Sequence, residues 1–154
     1  MRLIFAIILM SAIVIACSKG KLTITPKLEL KSLSTKIVPV NGTLTVVLKF
    51  GDKEGDISDT FYVRKVRLNR RSVPTVRDSF YYKVPDVPAK TYRGEFQIDM
   101  DYQTILSAIS PPIIPGSIPP QREPDTLMLK FATKDKGNHI SDTLVIPQII
   151  VIRQ

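Results

Sequence analysis

The sequence predicts an all-β fold, an antiparallel β-sandwich of seven or eight short strands. Three observations predict it. Apolar residues come in short runs that alternate with polar ones, the period of a strand with one buried face, and no segment sustains a 3.6-residue helical period. Twelve prolines and seven glycines punctuate these runs as turn signals. The 154 residues suffice for one core, and strands that follow one another without intervening helices fill it as two packed sheets.

The first element is not a strand. "MRLIFAIILMSAIVIAC" opens with one charge, Arg2, followed by fourteen uncharged and nearly all apolar residues, 3–16. As a helix this stretch rises about 21 Å, short of the roughly 30 Å hydrocarbon core of a bilayer. It therefore reads as the apolar region of a secretory leader rather than as a membrane span. Its end, Val14-Ile15-Ala16-Cys17, resembles the lipobox of bacterial lipoproteins. That resemblance implies a signal peptide over residues 1–16 and Cys17 as the acylated first residue of the mature chain, carrying diacylglyceryl and palmitate-type chains. Each buried methylene holds such a protein to the membrane by roughly 0.8 kcal/mol. Cys17 is the only cysteine, so no internal disulfide competes for it. The plain alternative is a cleaved leader or weak anchor helix with Cys17 as bystander. Ser18 after the cysteine implies, by the same resemblance, the outer membrane. Lys19 and Lys21, where surface-exported lipoproteins carry acids, imply its periplasmic face.

Residues 17–34 follow as the lipidated cysteine and a basic, Ser/Thr-rich tether, or as an edge strand through "KLTIT" or "KLEL". The sandwich proper spans 35–154. Residues 35–40 are an apolar run closed by the turn Asn41-Gly42. Residues 42–50 alternate, with Leu44, Val46, Leu48 and Phe50 on one face. Residues 57–68 form a strand whose inward set switches from Phe61 and Val63 to Val66 and Leu68, as a β-bulge near Arg64 would produce. The stretch 78–84, "DSFYYKV", is short and closed by "PDVP", which suits an edge. Residues 93–102 alternate again, placing Phe96, Ile98, Met100 and Tyr102 opposite Glu95, Gln97, Asp99 and Asp101. A Pro-rich loop, 107–124, carries six prolines, which forbid a helix and a central strand. It is either a connection between sheets or an apolar contact surface built on Ile113, Ile114 and Ile118. Residues 126–133 and 142–152 close the fold, the last interrupted by Pro147.

Two stretches read alike, "LKFGDKEGDISDTFYV" from Leu48 and "LKFATKDKGNHISDTLVI" from Leu129. Each is a strand, a charged Gly-containing turn, and a returning strand opened by Ser, Thr and Asp side chains that bond local backbone. The segment "FGDKEGDIS" resembles the F-x-D-x-D/E-G-D-I-G segment of small Bacteroidetes-type outer-membrane lipoproteins, and "KDKGNHISDTLVIPQIIV" resembles their closing strand. Gly51 departs from the usual Thr, and Lys136-Gly137 from the commoner Arg-Ala-Gly. The resemblance implies a lipid-anchored, immunoglobulin-like sandwich. In that topology the loops 51–56 and 134–139 lie side by side at one pole, with the Pro-rich connection at the other.

The candidate chemistry sits in these loops and in one basic run. Asp52, Glu54 and Asp56, with Gly55 among them and Asp59 beyond, place oxygen ligands at alternate positions, as a hard cation such as calcium requires. Val63 stands where an EF-hand has its bidentate Glu, and Lys53 adds a positive charge, so a solvated acidic turn is the competing reading. The second loop offers Asp135, Asn138 and Asp142 beside Lys134 and Lys136. Arg64, Lys65, Arg67, Arg70, Arg71 and Arg77 form the densest basic stretch of a chain with net charge +8, either a solvated face or a patch for anionic partners. Aromatics are not interleaved with it as stacking on nucleic acid requires, and behind an export leader its partners would be acidic glycans, lipopolysaccharide cores or lipid headgroups. His139 is the sole histidine and no nucleophile-elbow pattern surrounds any serine, so no enzyme is expected. Asp99 and Asp101 share an outward strand face that suits solubility. The reading is a membrane-anchored binding or scaffolding module with an envelope protein or a glycan as partner, no nucleic acid, and no cofactor unless calcium assists a carbohydrate-binding pole.

Overall fold

The computed structural model describes residues 22–71, 73–74, 77–84, 88 and 90–154, and at 58 and 59 the backbone alone. The expected leader and Cys17 lie outside the described residues. Eight strands are described in chain order: β1 (Lys27–Leu33), β2 (Ile37–Val38), β3 (Thr43–Gly51), β4 (Ile57–Arg67), β5 (Ser79–Lys83), β6 (Arg93–Asp101), β7 (Asp125–Asp135) and β8 (Leu144–Val151). They make two sheets, one of order β1-β3-β6 and one of order β2-β8-β7-β4-β5. All pairings are antiparallel except β2 with β8. No helix among the described residues is long and apolar enough to cross a membrane.

Alternation places the core. Leu44, Val46 and Leu48 of β3 and Ile98 and Met100 of β6 face Phe61 and Val63 of β4 and Leu127, Leu129 and Phe131 of β7, all of them buried. Each such side chain contributes about 1.5–3 kcal/mol on leaving water. Phe61 spans the two sheets, its ring centroid 5.5 Å from Phe96 and 6.0 Å from Phe131. Phe96 in turn stacks on Phe50 at 4.6 Å. Gly94 makes room for that stack, since a Cβ there would lie 2.5 Å from the Phe50 ring.

The chain crosses between sheets early. β1 pairs with β3, and after Ser34 donates its backbone N–H to Thr45 the same run continues as β2 beside β8. From Lys27 onward the basic segment is thus strand rather than tether. β3 delivers the chain to one pole, where β4 and β8 begin and β7 ends. The link from β6 to β7 lies at the opposite pole. It opens with a π-helical turn, Tyr102–Leu106, capped by Asp101, whose carboxylate accepts from Gln103 N and Thr104 N. Tyr102 is buried and its hydroxyl donates to the Ile152 carbonyl at 3.1 Å.

One expectation for β4 is overturned. The bulge is not at Arg64: pairing with β7 runs unbroken from Thr60 to Arg67, and the irregularity lies between Ile57 and Thr60. Lys65 and Arg67 therefore keep the inward phase of Phe61 and Val63, while Leu68 is exposed. The physical reason stands on the neighbouring strand, where Asp125, fully buried, occupies the same inward row as Leu127 and Leu129. A buried carboxylate makes that end of the interior a place for cations.

Candidate functional site

The two alike turns meet at one pole. Asp56 O accepts from Lys136 N at 3.1 Å, and Ile57 pairs with Asp135. Asp52 N donates to Tyr92 O at 2.9 Å and Lys53 N to Thr23 O at 3.1 Å, so the chain enters the described body at this pole too. Gly55 has φ +67°, and a Cβ there would lie 2.7 Å from Lys90 Cα, which explains a glycine at that point of the turn.

Asp52 is fully buried and organises its own loop. Its Oδ1 accepts from Glu54 N at 3.3 Å and its Oδ2 from Asp56 N at 3.0 Å. Asp135 does the same for the second turn, accepting from His139 N at 2.7 Å on Oδ1 and lying 2.9 Å from His139 Nδ1 through Oδ2. His139 Nδ1 is also 3.8 Å from Glu54 Oε2. These bonds bring carboxylates together: one oxygen from each of Asp52, Asp56 and Asp135 lies within 4.8 Å of the others, and Glu54, Asp135 and His139 form a second such trio. Asp56 Oδ1 is buried and meets no donor among the described residues. Burial raises the Asp56 pKa above the usual carboxylate range. The adjoining Asp52 carboxylate and the negative charges of Asp135, Asp52 and Glu54 raise it further. Chemically, such a cluster takes up a proton or a divalent cation. Asp59 belongs to β4 by its backbone, but its side chain lies outside the described residues.

The six basic residues do not form one surface. Arg64 is exposed on the outward face of β4, whereas Lys65 is only 3% exposed, its Nζ donating to the Ile105 carbonyl. Burial lowers the Lys65 pKa to about 8 against the opposing charges of Asp78 and Asp125. Arg67 pairs with Asp125 at 2.7 Å, Arg153 approaches the other Asp125 oxygen at 3.6 Å, and Ala108 N donates to it at 3.0 Å. Lys65 and Arg67 are therefore interior and offer nothing to a partner, which corrects the expected patch. Arg70, Arg71 and Arg77 are exposed beyond the strand end, Arg71 reaching Glu123 at 3.1 Å.

The Pro-rich connection is a small hairpin, not an open loop. Ile113 bridges Arg122, Ile114 N donates to Gln121 O, and the Ser117 hydroxyl donates to Ile114 O and accepts from Gln121 N, each at 2.8 Å. Asn69 ties it down, donating to Glu123 and the Pro124 carbonyl and accepting from Thr126 N. Ile113, Ile114 and Ile118 remain exposed, Ile118 at 96%. Asp99 and Asp101 have local duties instead of a joint one. Asp99 accepts from Thr45 and Gln97, and Asp101 caps the turn; these bonds lower both pKa values.

Two buried acids, Asp125 and Asp135, are the residues that sequence reasoning undervalued. Strand period alone carries the signal for both, since each sits an even number of places from Leu129. Set against known proteins, no family model, no curated protein and no solved structure matches this chain.

Proposed function

We propose that the protein is a lipid-anchored component of the bacterial outer membrane, facing the periplasm, whose immunoglobulin-like sandwich is a non-catalytic binding or scaffolding module for another envelope component. The observation that carries this reading is the leader, an uncharged stretch ending at Val14-Ile15-Ala16-Cys17 only five residues before Leu22 enters the folded body. The immunoglobulin-like type draws support from strand order. With β3, β4, β6, β7 and β8 taken as strands B, C, E, F and G, B and E share one sheet and G, F and C the other, with β5 beside C as in variable-type domains. Mass spectrometry of the native protein tests the anchor. The expected species begins at Cys17 and carries acyl chains, and it fractionates with the outer membrane. Retention of Met1, or an unmodified Cys17, overturns the reading.

A second reading is calcium-assisted binding of a glycan at the pole of the two turns. The juxtaposed carboxylates of Asp52, Asp56 and Asp135, with one Asp56 oxygen lacking a donor among the described residues, favour it. Ligands that bind only the folded state raise its stability. Millimolar calcium is expected to raise the melting temperature of the wild type and to leave Asp56→Asn unmoved. A wild type indifferent to calcium removes the metal from this reading.

A further inference from the structure

The outward face of the five-stranded sheet gathers cations whose positions follow from register. Arg64 stands directly opposite Lys130, the next row holds Tyr62 opposite Tyr81, and the row beyond carries Lys83 and Lys134 on either side of β4. These rows lie about 7 Å apart along the strands. Arg64, Lys83 and Lys134 are exposed and Lys130 half-buried. None of the four makes an ion pair with a described residue. From Thr60 to Val66 of β4, and along the outward positions of β5 and β7, no described side chain is acidic. Tyr81 is 72% exposed, with its ring 5.3 Å from that of Tyr62.

Like charges directly opposite one another destabilise a sheet, so stability alone does not account for Arg64 facing Lys130. An anion laid across the pair does. We propose that this face binds an acidic polysaccharide. Carboxylate or sulfate groups of the polymer contact Arg64 and Lys130 on one side and Lys83 and Lys134 on the other, while a sugar ring lies on the tyrosines between. A bilayer fits less well, because the chain enters the body at the pole of the turns and this face runs along the strands away from it. The choice of polysaccharide over nucleic acid rests on the envelope location proposed above.

The test uses the full chain in detergent, titrated with polygalacturonate, chondroitin sulfate and neutral dextran. Binding to at least one acidic polymer, weakening as salt rises, and none to dextran is expected. Arg64→Glu together with Lys130→Glu should weaken binding at least about tenfold. Tyr62→Ala with Tyr81→Ala should weaken it about fivefold and leave its salt dependence unchanged. The single change Arg64→Glu turns a like-charged pair into an opposite one. It should raise the melting temperature by about 1–4 °C while weakening binding, which separates loss of the surface from loss of the fold. Binding to neither acidic polymer, indifference to the double reversal, or tighter binding to phosphatidylglycerol vesicles or single-stranded DNA overturns the proposal. An unmodified Cys17 with polymer binding intact overturns the anchor and leaves this face standing. An acylated Cys17 without polymer binding does the reverse.

Discussion

Lys65 and Asp56 are each held where their charge is unwelcome, with opposite consequences for pH. The Lys65 pKa falls to about 8 in the folded protein from 10.5, so between those values the unfolded chain holds more protons. Stability therefore rises with pH across that window and is lost as pH falls through 8. Lys65→Met is expected to flatten this rise and to be the more stable protein at pH 7, as measured by urea denaturation of both chains at pH 7 to 10. Asp56 runs the other way. Its folded pKa is raised, so its contribution is full below 3.8 and lost as pH climbs through the folded value. Asp56→Asn should melt higher than wild type at pH 7 in chelator, and calorimetry should find the gap closing as pH approaches 3.8. Asp125 is the harshest single site. Truncation to alanine leaves Arg67 and Arg153 without their shared carboxylate and should cost about 3–5 kcal/mol by denaturation.

Among the elements, β3, β6 and the middle of β7, Leu127 to Phe131, were readable because their inward residues alternate as apolar ones, whereas Asp125, Thr133 and Asp135 continue the inward row of β7 at its two ends. β4 was not, because the rule that apolar means inward fails where a buried acid waits. Arg67 and Asp125 are 58 residues apart in sequence, and one strand's pattern carries no information about its neighbour's charge. Six prolines excluded helix and central strand from 107–124, yet the hairpin there is closed by the Ser117 hydroxyl and by Asn69 on another segment. The turns 51–56 and 134–139 were expected to be neighbours from the strand topology that the resemblance implies, and they do meet. Their detailed chemistry was not, since both oxygens of Asp52 and Asp135 serve backbone N–H or imidazole groups that only folded geometry brings near. Gly55→Ala tests the first turn. With φ positive and Lys90 against it, the substitution should destabilise by about 1–3 kcal/mol and shift the denaturation midpoint accordingly.

For the molecule as a whole, the point where Leu22 and Thr23 enter the described body and the apolar hairpin lie at opposite ends. Four residues lie between Cys17 and Leu22, and the five Cα steps span at most about 18 Å, so acylation would keep the pole of the turns close to the bilayer. The strands then carry Ile118 away by their own length. A fluorophore at Ile118→Cys should be quenched by a water-soluble agent and spared by a lipid-borne one, and a fluorophore at Lys53→Cys should respond to the lipid-borne agent.

The early crossing of the chain from one sheet to the other gives this arrangement a mechanical character. Tension drawn through the tether arrives at β1, bonded sideways to β3, and behind it at β2, where Ile150 and Ile152 donate to the carbonyls of Lys36 and Val38. The bonds of the antiparallel β1–β3 pair lie across the strands and those of the parallel β2–β8 pair run aslant, so a pull along the chain loads both ladders in shear. Were the chain anchored as proposed, such a body would resist being drawn out like thread, because β1 and β2 tie the entering segment to both sheets.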